Sequence, residues 1–107
     1  MAEKNIERST RDLYEAILML TSVDECEKFF KDICTEREVI SISQRLQVAK
    51  LLRVRKTYNE IEDETGASTA TISRVNRSLR QGADGYDLVL DELIQRDLMR
   101  KREGKEK

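Results

Sequence analysis

Arg74, Arg77 and Arg80 stand three residues apart in the stretch TGASTATISRVNRSLR (65–80), which holds no acidic residue. Ahead of them lie Thr69, Ala70, Thr71 and Ser73. Guanidinium groups bind phosphate oxygens or base edges, hydroxyls donate or accept at a base, and small residues permit close approach. Those residue types in that spacing suit recognition of a nucleic acid rather than catalysis.

The rest of the chain offers little to a catalytic reading. There is no His among 107 residues, so the commonest general base and metal ligand is missing. Cys26 and Cys34 lie eight apart, which is neither a metal spacing nor a redox motif. We expect two reduced, half-buried thiols in a cytoplasmic protein, with no catalytic residue, no metal site and no enzyme activity. No apolar run approaches the roughly 18 residues of a membrane span, and Met1-Ala2-Glu3-Lys4 does not open a signal peptide.

The elements that must position the arginines follow from periodicity and caps. Wound at about 100° per residue, 69–80 buries Ile72, Val75 and Leu79 on one side. The opposite side carries Ala70, Ser73, Arg74 and Arg77, with Thr69, Thr71 and Arg80 at its edges. Thr57-Tyr58-Asn59-Glu60 is a capping box that opens a short helix over 58–65, and Gly66 ends it in the left-handed conformation. A short helix, a turn and a second helix make a helix-turn-helix over about 58–80, with Ile61 and Ile72 spaced to pack at the crossing.

Further capping boxes at Ser22–Glu25 and Thr35–Glu38 open two more helices, the second running to about Val54 with Val39, Ile42, Leu46 and Ala49 on one stripe. Leu13, Tyr14, Ile17, Leu18 and Leu20 predict a first helix near 9–20. The last helix begins near Asp84 or Gly85, and its wide apolar face (Tyr86, Val89, Leu90, Leu93, Ile94, Leu98) requires more than one partner. With no Pro and four Gly, the chain reads as one all-α domain over 1–99, followed by a disordered charged tail at 100–107.

Net charge is −1, but it is unevenly spread. Residues 35–57 hold six basic and two acidic side chains, 58–66 hold four acids, and 67–82 hold three bases and no acid. A neutral sum therefore hides a basic face beside an acidic one.

The string Glu60-Ile61…Thr65-Gly66-Ala67-Ser68…Thr71-Ile72-Ser73-Arg74 is a specific form of the motif. With Thr69-Ala70-Thr71-Ile72-Ser73-Arg74, Asn76, Ser78-Leu79 and Leu51-Leu52-Arg53, it resembles the Trp repressor superfamily, YerC/YecD branch, over roughly 11–95. The resemblance implies an all-helical, intertwined homodimer that binds double-stranded DNA at a palindromic operator as a transcriptional repressor. It places Thr69, Ala70, Thr71, Ser73 and Arg74 in the groove, and the outward face adds Arg77 and Arg80 at phosphates. The first motif helix departs from the pattern. Tyr58, Asn59 and Glu62 stand where the family has polar and basic residues, and Glu60, Glu62, Asp63 and Glu64 would repel a phosphate backbone they faced.

In tryptophan-binding members an indole sits between two arginines, close to a glycine that follows the recognition-helix arginine. Arg74 supplies one arginine. The other falls on Arg45 if Thr35 anchors the match, or on Gln44 if Leu51-Leu52 does. The residue after Arg74 is Val75, whose side chain fills space the indole needs. The effector pocket implied is Thr35, Arg45, Arg74 and Val75, with no cofactor and no L-tryptophan corepressor expected. The competing reading is a helix-turn-helix adaptor whose acidic helix 58–65 meets a basic protein or an RNA partner.

Overall fold

Thr57 and Glu60 exchange hydrogen bonds at the start of a helix. The Glu60 N–H donates to Thr57 Oγ1 at 3.2 Å, and the Thr57 N–H donates to Glu60 Oε1 at 3.0 Å. In the computed structural model, which describes residues 2–106, the same reciprocal pair joins Thr35 and Glu38. Such caps satisfy N–H groups that a helix start leaves without partners. The elements are α1 (Ala2–Leu18), α2 (Val23–Ile33), α3 (Glu36–Arg53), α4 (Tyr58–Thr65) and α5 (Thr69–Gln81). A single 3₁₀ turn, Tyr86–Leu88, then leads into α6 (Leu90–Glu106). The described residues are all-helical, with no strand.

The chain divides into two compact units, 1–39 and 40–107, with the break inside α3. In 1–39, α1 begins earlier than the first apolar repeat suggested, because Ala, Glu, Lys and Arg ahead of it are strong helix formers. It ends at Leu18, where Met19 and Leu20 turn to tighter bonds onto the Ala16 and Ile17 carbonyls. The α2 cap is formed by Ser22 Oγ, which accepts from the Glu25 N–H at 3.1 Å. Phe29 and Phe30 meet edge to face at 5.6 Å, and Cys26 and Cys34 are half-buried free thiols. No described residue of this unit is buried.

The unit 40–107 holds the core. Val48 and Ala49 of α3, Ile61 of α4, Ala67 of the turn, Ile72 and Val75 of α5, and Leu90 of α6 form one buried cluster. Leu46, Leu51, Leu52, Tyr58, Leu79 and Tyr86 pack around it. Ile61 and Ile72, expected to meet at the crossing of the two short helices, are both fully buried. Ile42, expected on the apolar stripe of α3, is instead exposed, as is Ile40. Charged pairs tie α3 to the last elements. Arg53 reaches Asp87 at 2.6 Å and Asp91 at 3.2 Å, and Lys50 Nζ lies 2.5 Å from Asp97. The Lys50 ammonium, donating to Asp97, holds that carboxyl below its ordinary range.

Two expectations change at the C-terminal end. The last helix is interrupted at Val89, so its first turn is 3₁₀ and α6 proper starts at Leu90. The tail expected to be disordered from 100 is helical through Glu106. Arg, Lys and Glu favour helix, and Arg100 sits 3.8 Å from Asp97 one turn back. Lys107 lies outside the described residues.

Candidate nucleic-acid interface

Ser68 sets the first turn of α5. Its hydroxyl accepts from the Thr71 N–H at 3.1 Å, and its backbone is extended (φ −72°, ψ 158°) as an N-cap requires. Gly66, at φ 72°, closes α4 with its N–H donating to the Glu62 carbonyl, so only Gly66, Ala67 and Ser68 separate the two helices. Buried Ala67 and Ile72 anchor this turn and the start of α5 to the core. The helix is thereby fixed about its own axis.

That fixing presents the expected face. Thr69, Ala70, Ser73, Arg74, Arg77 and Arg80 are exposed, Thr71 is half-buried, and Ile72 and Val75 point inward. Among the described residues no carboxylate pairs with Arg74, Arg77 or Arg80. Arg77 and Arg80 line one shallow depression of about 270 Å³ together with Ser73 and Asn76. At its floor Asn76 Nδ2 donates to the Tyr58 hydroxyl at 3.4 Å. Tyr58, which stands where the resemblance gives the family a polar or basic residue, meets α5 through this bond. The macrodipole adds a partial positive charge at the start of α5, whose first turn contains no acid.

The acids of α4 divide. Glu60 is held in its cap and also lies 3.8 Å from Lys56. Bonds from the Thr57 N–H and hydroxyl hold its carboxyl below the ordinary value of 4.5. Glu62 accepts from the Thr69 hydroxyl at 2.5 Å, across the turn. Asp63 and Glu64 are exposed. The Glu62 bond was not legible from periodicity, because partners seven apart on two helices share no helical face.

A polar cavity of about 230 Å³ lies between α3 and α5, lined by Ser41, Gln44, Arg45, Thr71, Arg74, Val75, Ser78 and Tyr86. Three of the four residues proposed for an effector pocket, Arg45, Arg74 and Val75, thus share one cavity. The fourth, Thr35, is spent on capping α3. Gln44, the alternative to Arg45, donates from Nε2 to the Thr65 carbonyl at 3.1 Å and is committed to the fold. Val75 is only 2% exposed, its side chain part of the core. Ser41, Ser78 and Tyr86 were not anticipated as lining residues, since nothing in their local spacing distinguishes them. A second, more apolar and open hollow of about 480 Å³ joins Ile42 and Leu46 to Tyr86 and Val89.

Residues 8–94 match the family model described as Trp repressor protein. A protein of Bacillus subtilis (strain 168), called uncharacterized protein YerC, is 54% identical over 79 residues, 74% of this chain and 76% of that protein. Two solved structures are similar in fold as well as sequence. A TrpR-like protein from Eubacterium eligens ATCC 27750 is 55% identical with a TM-score of 0.77, over 80% of this chain and 89% of that one. A candidate Trp repressor from Staphylococcus aureus is 52% identical, also with a TM-score of 0.77, over 80% of this chain and 86% of that one.

Proposed function

The chain belongs to the Trp repressor family, and from that premise we propose that it is a sequence-specific, DNA-binding transcriptional repressor. It acts on a palindromic operator as an intertwined homodimer. In this reading α4 and α5 are the helix-turn-helix, and α5 enters the major groove. The observation that carries it is the outward face of α5, where three arginines, none paired with a carboxylate among the described residues, stand beside exposed hydroxyls and Ala70. Thr69, Ala70, Thr71, Ser73 and Arg74 face base edges, while Arg77 and Arg80 neutralise phosphates. A two-fold dimer would set its half-sites about 34 Å apart on one face of the duplex. Such a regulator works in the cytoplasm and is not an enzyme.

The cavity between Arg45 and Arg74 is not a tryptophan site in this reading, which is supported by Val75, a larger core side chain at the position where tryptophan-binding members carry a glycine. The exposed Asp63 and Glu64 favour the second reading, an adaptor with a basic partner. Quantitative gel shift on a duplex selected from random sequence, titrated over several salt concentrations, separates the two. Each lost phosphate contact should reduce the slope of log affinity on log salt by about one. Arg77→Ala and Arg80→Ala are each expected to do so on every sequence alike. Thr71→Ala and Ser73→Ala are expected to cost about 1–3 kcal/mol at particular base pairs only. Unchanged affinity and slope in both arginine variants would remove α5 from the DNA.

A further inference from the structure

A carboxylate rests on the first hydroxyl of the helix that carries the arginines. Thr69 is the first residue of α5 and is exposed, and its Oγ1 donates to Glu62 Oε1 at 2.5 Å. A threonine hydroxyl has one proton and two lone pairs, and an ionised carboxylate only accepts. The direction of this bond is therefore fixed, unlike that of the neighbouring hydroxyl pair Ser68–Thr71, in which either oxygen can be the donor. With its proton committed, Thr69 turns only lone pairs outward. The unused lone pairs of Glu62 add further acceptors at the same edge.

Resting on the DNA-binding reading above, we infer that Glu62 and Thr69 form an acceptor-only base reader that selects an amino-bearing base, adenine or cytosine, in the major groove. Adenine N6 and cytosine N4 donate there, whereas guanine offers N7 and O6 and thymine offers O4, all acceptors. Opposed lone pairs make guanine or thymine at that position unfavourable. Each Watson–Crick pair carries one amino group in the major groove, so the pair sets strand orientation, A·T against T·A and C·G against G·C. The same negative charge repels a phosphate, which keeps this edge of α5 over the bases while Arg77 and Arg80 take the backbone. The carboxylate on α4 thus becomes a specificity-determining residue rather than a flaw in a basic surface.

Selection of bound sites from random duplex DNA, with wild type and Glu62 variants, tests this. Wild type should enrich adenine or cytosine over guanine or thymine by about tenfold at one position in each half-site, equivalent to about 1.4 kcal/mol. Glu62→Ala frees the Thr69 proton and should flatten that position to within about twofold while leaving the others unchanged. Glu62→Gln keeps the shape and introduces a donor whichever way the amide turns, so it should shift the position toward guanine or thymine. Thr69→Val should weaken the preference, since the Glu62 carboxylate then remains as the acceptor alone, without changing the cap at Ser68. A role confined to bracing the turn would change stability but not base choice at one position. Retention of the wild-type preference in Glu62→Ala, or in Glu62→Gln if the alanine variant does not fold, would overturn the inference. Failure of wild type to enrich any duplex would instead overturn the DNA-binding reading, and this inference with it.

Discussion

Val75 and Arg74 are adjacent, yet one is buried in the core and the other faces solvent, and each side chain closes off a different possibility. Arg74 retains the charge a carboxylate-bearing effector would need. Val75, at 2% exposure, is packed in the core with Ile72 and Ala49, and it walls the cavity that Arg45 and Arg74 also line. Overfilling a packed core by a few methylenes typically costs about 1–3 kcal/mol, and an indole is larger than that. Titration calorimetry with L-tryptophan should therefore give no saturable heat, and the amino acid should leave the melting temperature unchanged. A saturable signal would mean that Val75 moves aside. Val75→Gly should lower stability by about 2–4 kcal/mol through lost burial and lost helix propensity, whatever it does to binding. The position of Val75 was legible from the Ile72, Val75, Leu79 repeat alone. The hydrogen bond from Thr69 to Glu62 was not, because it depends on how two helices meet at a three-residue turn.

Helix ends hold strained backbone and carboxylates whose titration is shifted by folding. After α3 the chain closes with the Lys56 N–H donating to the Leu51 carbonyl and the Arg55 N–H donating to the Leu52 carbonyl, which puts Arg55 at φ 66°. This is the position where glycine is usual, because a side chain is strained in the left-handed region. Arg55→Gly is expected to raise stability by about 0.5–1 kcal/mol in a denaturant melt, and Gly66→Ala, at φ 72°, to lower it by about 1 kcal/mol. Gly82 differs in kind. A Cβ there would run into the Ser78 carbonyl, so Gly82→Ala should be more disruptive than Gly66→Ala despite an ordinary φ of −83°. The cap carboxylates Glu38 and Glu60 are held below 4.5 by the N–H and hydroxyl of Thr35 and Thr57 respectively. Their folded values are depressed, so their contribution is fully present above 4.5 and disappears as pH falls through the lower folded value. A melting temperature that declines below pH 4.5, with a shallower decline in Glu38→Gln/Glu60→Gln, is the expected profile. The three capping signals and Gly66 could be located by reading Ser or Thr three residues ahead of Glu, and they placed α2, α3 and α4 closely. The end of α3 carried no such mark, since arginine does not advertise a left-handed residue. The reach of α6 past 100 was hidden because a charged composition is shared by solvated helices and disordered tails.

Across the whole chain, the apolar residues exceed what the buried core accounts for. Hydrophobic residues make up 38% of the sequence, but among the described residues the buried cluster has seven members, all in 40–107. In 1–39, Tyr14, Leu18, Met19, Val23 and Ile33 are each more than half exposed, and even Phe29 and Phe30 are only half-buried. In 40–107, Ile42, Val89, Leu98 and Met99 are 45–55% exposed, and Ile42 and Val89 border the same open apolar hollow. Burial stabilises by about 25 cal/mol per Å² of apolar surface, and large uncovered apolar patches mark interaction sites. The sequence hinted at this through the last helix, whose apolar face is wider than one partner needs; only Leu90 of that face is buried within the chain. The homodimer proposed above gives these surfaces a second copy to pack against. Light scattering at micromolar concentration should return twice the 12.5 kDa of one chain. Because folding and association would be coupled, the melting temperature should rise with protein concentration, as mass action requires. Val89→Asp, which places a charge in the hollow without touching the buried cluster, should lower the melting temperature. It should also reduce operator affinity more than affinity for an isolated half-site, because a single half-site needs only one recognition helix. A 12.5 kDa particle whose melting temperature is independent of concentration would leave the exposed apolar faces without a second copy, and the dimer would be wrong.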